Sequence, residues 1–163
     1  MQRFGLIYSQ AWYHQMNPWQ RELVRTSLEL YSREERMQSS FNDYSFIIFP
    51  MAKAYEGFLK DFFYQSSLID RRTYADKRFR IGRALNPDMN PDRRDEFWLY
   101  GRITRQCGPE LSRALWDTWL TCRNQVFHYF PENEKKLSLL DVAANIEKIA
   151  TTIELTYACK WGG

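Results

Sequence analysis

The sequence has 163 residues, of which 44% are hydrophobic and 17% aromatic, and its formal net charge is +3. This length fits one domain with a core of its own, and the hydrophobic and aromatic content excludes a disordered chain. Seven glycines and six prolines are too few for the many tight turns of an all-β fold.

The spacing of apolar residues predicts helices along most of the chain. The pair Asn17-Pro18 is typical of a helix start, and helical spacing continues from there to about Arg36. Polar residues 37–44 then predict a connection. A second helix, expected to begin near residues 48–50 and to end near Leu68, is apolar on most sides, which indicates a central position.

Beyond a basic segment, a short helical turn is expected around residues 81–85. The turn-rich residues 86–92 follow, and we expect Asp92 to cap a helix from Arg93 to about Gln106. The aspartates of this turn resemble the start of a calcium loop. However, Arg93 stands in place of the glycine and Leu99 in place of the glutamate that such a loop needs, so we expect no calcium there.

A Gly-Pro pair at positions 108 and 109 predicts a break, followed by a helix from about Glu110 to Phe130. Ser138 and Asp141 are expected to open a last helix, whose predicted apolar stripe is Leu140, Ala144, Ile149, Ile153 and Tyr157. The sequence therefore predicts an all-α bundle of four or five main helices in a single domain. Residues 1–44 would form an N-terminal helical extension and residues 45–160 the core bundle.

The three cysteines, Cys107, Cys122 and Cys159, include no Cys-x-x-Cys pair. We expect reduced thiols, as in the cytoplasm, rather than disulfides or a zinc site. The two histidines lie far apart in the sequence, and no acids cluster at ligand spacing, so we expect neither metal nor cofactor. No run of about 18 uncharged apolar residues predicts a membrane span, and the N-terminus does not resemble a secretory signal. A cytoplasmic location is the resulting expectation.

Positive charge is concentrated between positions 71 and 83, where the basic residues outnumber the single acid Asp76. Arginine, which suits phosphate forks and base stacking, is the main basic residue type of the chain. Tyr74 and Phe79 interleave with these cations, as in grooves that bind single-stranded nucleic acid. The alternative is a solvated loop whose arginines pair with acids elsewhere. The candidate RNA-binding residues are Arg71, Arg72, Lys77, Arg78, Arg80 and Arg83.

A short polar string, Arg123-Asn124-Gln125-Val126-Phe127-His128, interrupts the predicted helix that ends before Pro131. A cation, an amide and an imidazole are costly to bury, so we expect them to line a cleft or an interface. Cleavage of RNA through its own 2′-hydroxyl needs a proton acceptor, a proton donor and positive charge for the phosphate oxygens. His128 can exchange protons near neutral pH, Arg123 can hold a phosphate bidentately, and Asn124 can orient either.

Glu56 lies on the apolar second helix and needs a partner, for which Arg123 is the expected residue. On a regular helix Arg123 and His128 are about 140° apart, so one copy would not aim both at one phosphate. Two motif helices around a two-fold axis would share one cleft, which predicts a homodimer. A structural Arg123–Glu56 ion pair and a core histidine at position 128 are the alternatives. The other histidine, His14, is expected at the surface or in packing.

The string Arg123, Asn124, His128 resembles the motif of the HEPN ribonucleases (higher eukaryotes and prokaryotes nucleotide-binding domain). Their motif is an arginine, a polar residue and a following histidine on a late helix of an all-α bundle. Residues 53–60, Lys-Ala-Tyr-Glu-Gly-Phe-Leu-Lys, look like the corresponding helix of the RNase LS-type toxins, a bacterial toxin–antitoxin subgroup active against phage. In that group a glutamate joins the arginine and histidine, and the matching residue is Glu56.

The resemblance covers roughly residues 45–160 and implies a metal-independent endoribonuclease that works as a dimer. It implies catalytic roles for Arg123, His128, Asn124 and Glu56, with RNA as the substrate. It further implies a toxin or phage-defence effector, whose partner would be an antitoxin or a regulatory protein. The alternatives are a non-catalytic module that binds RNA or a nucleotide and a protein-interaction domain.

Overall fold

The computed structural model describes residues 4–132 and 134–159, which are 72% helical and contain no strands. The predicted all-α class is therefore confirmed, and five of the helices have seven or more residues. In chain order the helices are α1 (Ala11–Gln15), α2 (Pro18–Met37), α3 (Ser45–Gln65), α4 (Arg71–Ala75), α5 (Ile81–Leu85), α6 (Tyr100–Cys107), α7 (Pro109–Trp119), α8 (Gln125–Phe127) and α9 (Leu139–Ala158). Two short 3₁₀ turns (Gly5–Ser9, Pro91–Arg93) and a π-helical segment (Leu120–Asn124) complete the path.

Helix α3 lies at the centre of the bundle and packs against α2 and α9. It is buried along most of its length, as its apolar character predicted. It begins at Ser45, earlier than expected, because the Asp43 carboxylate accepts a hydrogen bond from the Ser45 backbone N–H at 2.9 Å. It ends at Gln65, since Ser67 takes a left-handed conformation with φ of 53°.

Side-chain caps fix the starts of α2 and α9, as the sequence predicted. Asn17 accepts a hydrogen bond from the Gln20 backbone N–H, and the Gln20 side chain accepts one from the Asn17 N–H. Ser138 and Asp141 form the same reciprocal arrangement at α9. Each such cap contributes about 1 kcal/mol, because it satisfies N–H groups that lack partners within the helix.

The helix predicted from Arg93 to Gln106 begins only at Tyr100, and Asp92 does not cap it. Asp92 instead lies within the Pro91–Arg93 turn, where its N–H donates to the Asn90 side chain. The following residues are held outside a helix by contacts with residues 83–86. The Arg83 guanidinium binds the Asp95 carboxylate, and the Trp98 indole N–H donates to the Asn86 carbonyl at 2.8 Å.

The apolar stripe predicted on α9 is only partly correct. Ile149 and Ile153 are fully buried, whereas Leu140 is 74% exposed, Tyr157 is 45% exposed and Ala144 faces solvent. On a 3.6-residue period Leu140 and Ala144 lie about 180° and 140° from Ile149, which places both away from the core. The buried face comprises Val142, Ala143, Ile146, Ile149, Thr152, Ile153 and Thr156.

Cys107 and Cys159 form a disulfide, with their Cα atoms 5.7 Å apart, so the expectation of reduced thiols is wrong for these two residues. The bond ties the end of α6 to the end of α9, and the two cysteines are 52 positions apart in the sequence. Sequence spacing could not reveal this pairing, because it depends on how the bundle closes. Cys122 is a free, buried thiol, and burial raises its pKa. None of the described helices combines the length and the apolarity needed to span a membrane.

Candidate nucleic-acid groove and active site

The motif lies where a regular helix gives way to irregular backbone. Helix α7 continues into the π-helical segment Leu120–Asn124, then into the single turn of α8. The chain leaves the helical conformation at His128, with φ of −101° and ψ of 135°. The predicted end at Phe130 is therefore too late, since the helix ends at Phe127.

This irregularity changes the geometry expected for one copy of the chain. The separation of about 140° between Arg123 and His128 assumes an uninterrupted α-helix. In the structure a π-helical segment contains Arg123 and the helix ends before His128. Both side chains line the same groove of about 710 Å³ within one chain. One copy of the chain therefore brings both residues to the same groove.

The groove is bounded by three parts of the fold. Helix α3 contributes Glu56 and Lys60, the stretch from Lys77 to Met89 forms the opposite side, and the motif helix forms the third side from Trp116 to His128. All four predicted catalytic residues therefore lie along one cavity. Positive charge from the basic segment reaches the same cavity.

Arg123 and Glu56 form the ion pair that the sequence predicted. The Arg123 Nε donates to the Glu56 Oε2 at 3.2 Å, and the two side chains are 32% and 39% exposed. Neither terminal nitrogen of Arg123 has a hydrogen-bond partner among the described residues. Glu56 therefore orients the guanidinium and leaves its two terminal NH₂ groups available to an anion such as phosphate.

His128 is exposed, and its ring lies edge-on to Phe130 with 6.3 Å between the centroids. A core position for this histidine is therefore excluded. The Asn124 side chain is half-buried in the wall of the groove. Within the part of the chain that the structure describes, neither side chain forms a hydrogen bond, so both can donate to or accept from a bound molecule.

The basic segment divides into groove residues and residues that lie elsewhere. Lys77, Arg80 and Arg83 line the groove. Arg83 is committed to Asp95 through two contacts of 3.0 and 2.8 Å, and its guanidinium lowers the pKa of that carboxyl. Arg80 donates to the Lys77 carbonyl at 2.7 Å.

The other three predicted RNA-binding residues do not line this groove. Arg71 and Arg72 are exposed on α4. Arg78 lies at a neighbouring cavity and pairs with Asp76 at 3.4 Å. The structure therefore separates a set of cations that the sequence grouped together.

Several groove residues were not identified from the sequence. Lys60 lies one helical turn after Glu56, and Trp119 lies one turn before Arg123, so helical spacing offered a signal for both. Asn86 and Met89 also line the groove. They belong to the turn-rich segment, and no local pattern distinguishes them as site residues.

Two aromatic side chains border the ion pair, and other aromatic side chains before, on and after the same elements are exposed. A smaller cavity of about 200 Å³ adjoins Arg123 and Glu56 and is lined by Phe49 and Phe127. These two rings meet edge-on at 5.2 Å, and Phe49 is 53% exposed. We define the aromatic surface as Phe41, Phe46, Phe49, Phe127, Tyr129 and Phe130.

Comparisons of the chain with protein-family models, with curated proteins and with solved structures found no match. In the described residues no three histidine, cysteine, aspartate or glutamate side chains are grouped as metal ligands would be.

Proposed function

We propose that this chain is a metal-independent endoribonuclease of the HEPN type. The observation that carries the proposal is the groove, which holds Arg123, Asn124 and His128 together with Glu56 and several cations in one chain. An exposed imidazole in the same groove as a guanidinium with two free NH₂ groups is suited to phosphodiester chemistry. The concentration of positive charge favours a polyanion over a small neutral substrate.

In the proposed reaction the RNA 2′-oxygen attacks the adjacent phosphorus, and the bond from phosphorus to the 5′-oxygen breaks. The 2′-hydroxyl proton leaves to a base and a proton reaches the departing 5′-oxygen. The products are a 2′,3′-cyclic phosphate and a 5′-hydroxyl. His128 is the side chain of this site suited to accept or to donate a proton.

Arg123 stabilises the negative charge that grows on the phosphate oxygens during this reaction. Its Nε is held by Glu56, so the planar guanidinium keeps one orientation and pays less entropy on binding. Glu56 is in this account a positioning residue that acts through Arg123. Asn124 offers an amide that can bind the phosphate or orient the imidazole.

Dimerisation supplies what a single copy lacks. Each copy brings one motif histidine, whereas the reaction needs a proton acceptor and a proton donor. The aromatic surface borders the ion pair through Phe49 and Phe127 and is of the kind that protein interfaces bury. Light scattering at micromolar concentration should show a dimer. A monomer that still cleaves RNA would overturn this part of the proposal.

A role as a toxin or phage-defence effector rests on the resemblance to the RNase LS-type toxins. In that role, expression in bacteria should arrest growth, and His128→Ala should relieve the arrest. An antitoxin or regulatory protein would then be the partner that holds the activity in check. Growth curves with matched expression levels test this separately from the chemistry.

The decisive experiment incubates the purified chain with synthetic RNA in EDTA. Cleavage that yields a cyclic phosphate and a 5′-hydroxyl is expected, and His128→Ala should lower its rate at least about a hundredfold. His14→Ala is the matched control, because His14 is exposed and lies outside the groove. Intact RNA with the wild-type chain, or equal rates for the two variants, would contradict the proposal.

One observation favours a second candidate, a module that binds RNA without cutting it. No side chain among the described residues orients the His128 ring by a hydrogen bond, whereas a general base is usually held by a partner. The same EDTA incubation separates the two functions. Binding of RNA with no product would select the module.

A further inference from the structure

One side of the groove consists of aromatic and apolar side chains that phosphate chemistry does not require. The Trp116 and Trp119 rings stack with centroids 5.7 Å apart and planes 19° apart, and both are half-buried. The Arg123 guanidinium lies 5.8 Å from the Trp119 ring. The indole pair therefore lies next to Arg123, the proposed phosphate-binding residue.

The Trp119 ring is held firmly in this position. It packs directly on Gly82 of α5, where an added Cβ would overlap the indole. The Arg123 guanidinium lies over the ring and Trp116 stacks against it, so Trp119 serves as the support for the Trp116 indole. A surface that is fixed before binding loses little conformational entropy when a flat ligand stacks on it.

Asn86 adds a polar group at the rim of this aromatic wall. Its carbonyl oxygen accepts from the Trp98 indole N–H, and its Oδ1 accepts from the Asp88 backbone N–H at 2.9 Å. The first bond holds the Asn86 backbone, and the second orients its side-chain amide, whose Nδ2 has no partner among the described residues. A free N–H donor that lines the same groove as the stacked rings matches the acceptors on a nucleobase edge.

The size of the groove also exceeds the need of a phosphate alone. Its volume of about 710 Å³ falls within the range of about 300–1,000 Å³ found for pockets that hold drug-sized ligands. Lys60 and Lys77 also line the groove and supply positive charge for the phosphate backbone of RNA. The groove therefore offers separate places for a phosphate and for a base.

We propose that Trp116, Trp119 and Asn86 form a nucleobase subsite, so that the substrate is single-stranded RNA with an unpaired base stacked beside the scissile phosphate. This inference rests on the proposed function, since it takes RNA as the ligand. Bases in an A-form duplex are paired and stacked on each other, so their faces are not free to meet an indole. Loops and single-stranded ends provide such faces.

The test measures binding to the full chain that carries His128→Ala, so that the RNA stays intact. The probes are a short fluorescein-labelled RNA strand of mixed sequence, its blunt duplex, and the same strand with abasic nucleotides. The single strand should bind most tightly. Adding Trp116→Leu should weaken its binding by about 5- to 150-fold, the range for one lost base stack, without changing the salt dependence.

Two further variants make the result specific. Asn86→Asp keeps the acceptor for the Asp88 N–H but removes the donor, so it should also weaken binding of the single strand. Trp19→Leu is the matched control, because Trp19 is 63% exposed on α2 and lies outside the groove. Trp116→Leu should not weaken the binding of the abasic strand any further, because that strand has no base to stack on the indole.

The outcomes separate the subsite from the proposed function. Equal affinity for the single strand, the duplex and the abasic strand would overturn the subsite while RNA binding and cleavage stand. Cleavage by the wild-type chain without any effect of Trp116→Leu or Asn86→Asp on binding would do the same. Absence of both cleavage and binding would refute the proposed function and the subsite with it. If circular dichroism shows that Trp116→Leu unfolds the chain, the subsite is tested by the binding of single-stranded RNA to Asn86→Asp alone.

Discussion

Replacing Arg123 with alanine should abolish activity while it barely changes stability. The structural contribution of this residue is small, because its pair with Glu56 is a single contact of 3.2 Å between side chains that are 32% and 39% exposed. Exposed ion pairs contribute about 0.2–1 kcal/mol to the free energy of unfolding. For a domain of this length, about 1 kcal/mol corresponds to about 2–4 °C in Tm. We therefore expect Tm to fall by no more than about 4 °C.

The expected loss of activity is much larger than this structural effect. Removal of one preorganised donor from a site of developing negative charge costs about 100- to 1,000-fold in rate. A hundredfold loss corresponds to about 2.7 kcal/mol of transition-state stabilisation, which exceeds the whole contribution of the ion pair to stability. A rate loss of this size at nearly unchanged Tm would therefore be chemical in origin.

The assay follows initial rates of RNA cleavage in EDTA and thermal unfolding by circular dichroism on the same preparations. Arg113→Ala is the matched control, since Arg113 is exposed on α7 and lies outside the groove. Arg123→Lys keeps the charge but loses the fork, so it should recover only part of the activity. Wild-type rates for Arg123→Ala would refute the catalytic role. If Arg123→Ala unfolds instead, the ion pair of Arg123 with Glu56 has a structural role.

Two other features of the chain give further predictions. Lys77→Ala with Arg80→Ala should lower the salt slope of RNA binding by about 1.4, since each phosphate contact on a single strand contributes about 0.7. The matched control is the double variant Arg71→Ala with Arg72→Ala, which should leave that slope unchanged because both residues lie outside the groove. Equal slopes for the two double variants would contradict the groove as the RNA-binding site. A reductant should lower Tm by about 10 °C, because a disulfide between positions 52 apart restricts the unfolded chain by about 4 kcal/mol. Cys107→Ser should show the lower Tm and no response to reductant, and an unchanged Tm in either experiment would count against a stabilising role for the bond.

The parts of the fold that local chemistry determines could be predicted from the sequence. The start of α2 follows from the capping preference of Asn17 and the preset backbone of Pro18. The start of α9 at Ser138 has the same origin. The pairing of Glu56 with Arg123 also followed, because a carboxylate on an apolar helix needs a partner and the motif supplied a cation.

The parts that depend on tertiary contacts could not be predicted. Residues 94–98 carry a helical pattern, yet Arg83 holds Asp95 and Asn86 accepts from Trp98, so this stretch stays outside α6. The disulfide of Cys107 with Cys159 depends on two helix ends that meet only in the folded bundle. The division of the basic segment between the groove and the surface has the same cause, since it depends on how α4, the connection after it and α5 pack against the bundle.

The π-helical segment explains how Arg123 and His128 of one chain can line the same groove, although an ideal helix would separate them by about 140°. Such segments are frequent at functional sites, because the extra residue in a turn re-aims the side chains that follow it. Here the segment ends at Asn124, just before the last turn that leads to His128. The proposed cleavage moves two protons, one from the 2′-hydroxyl and one to the 5′-oxygen, and each chain brings one motif histidine. A second copy of the chain would therefore supply the second proton carrier.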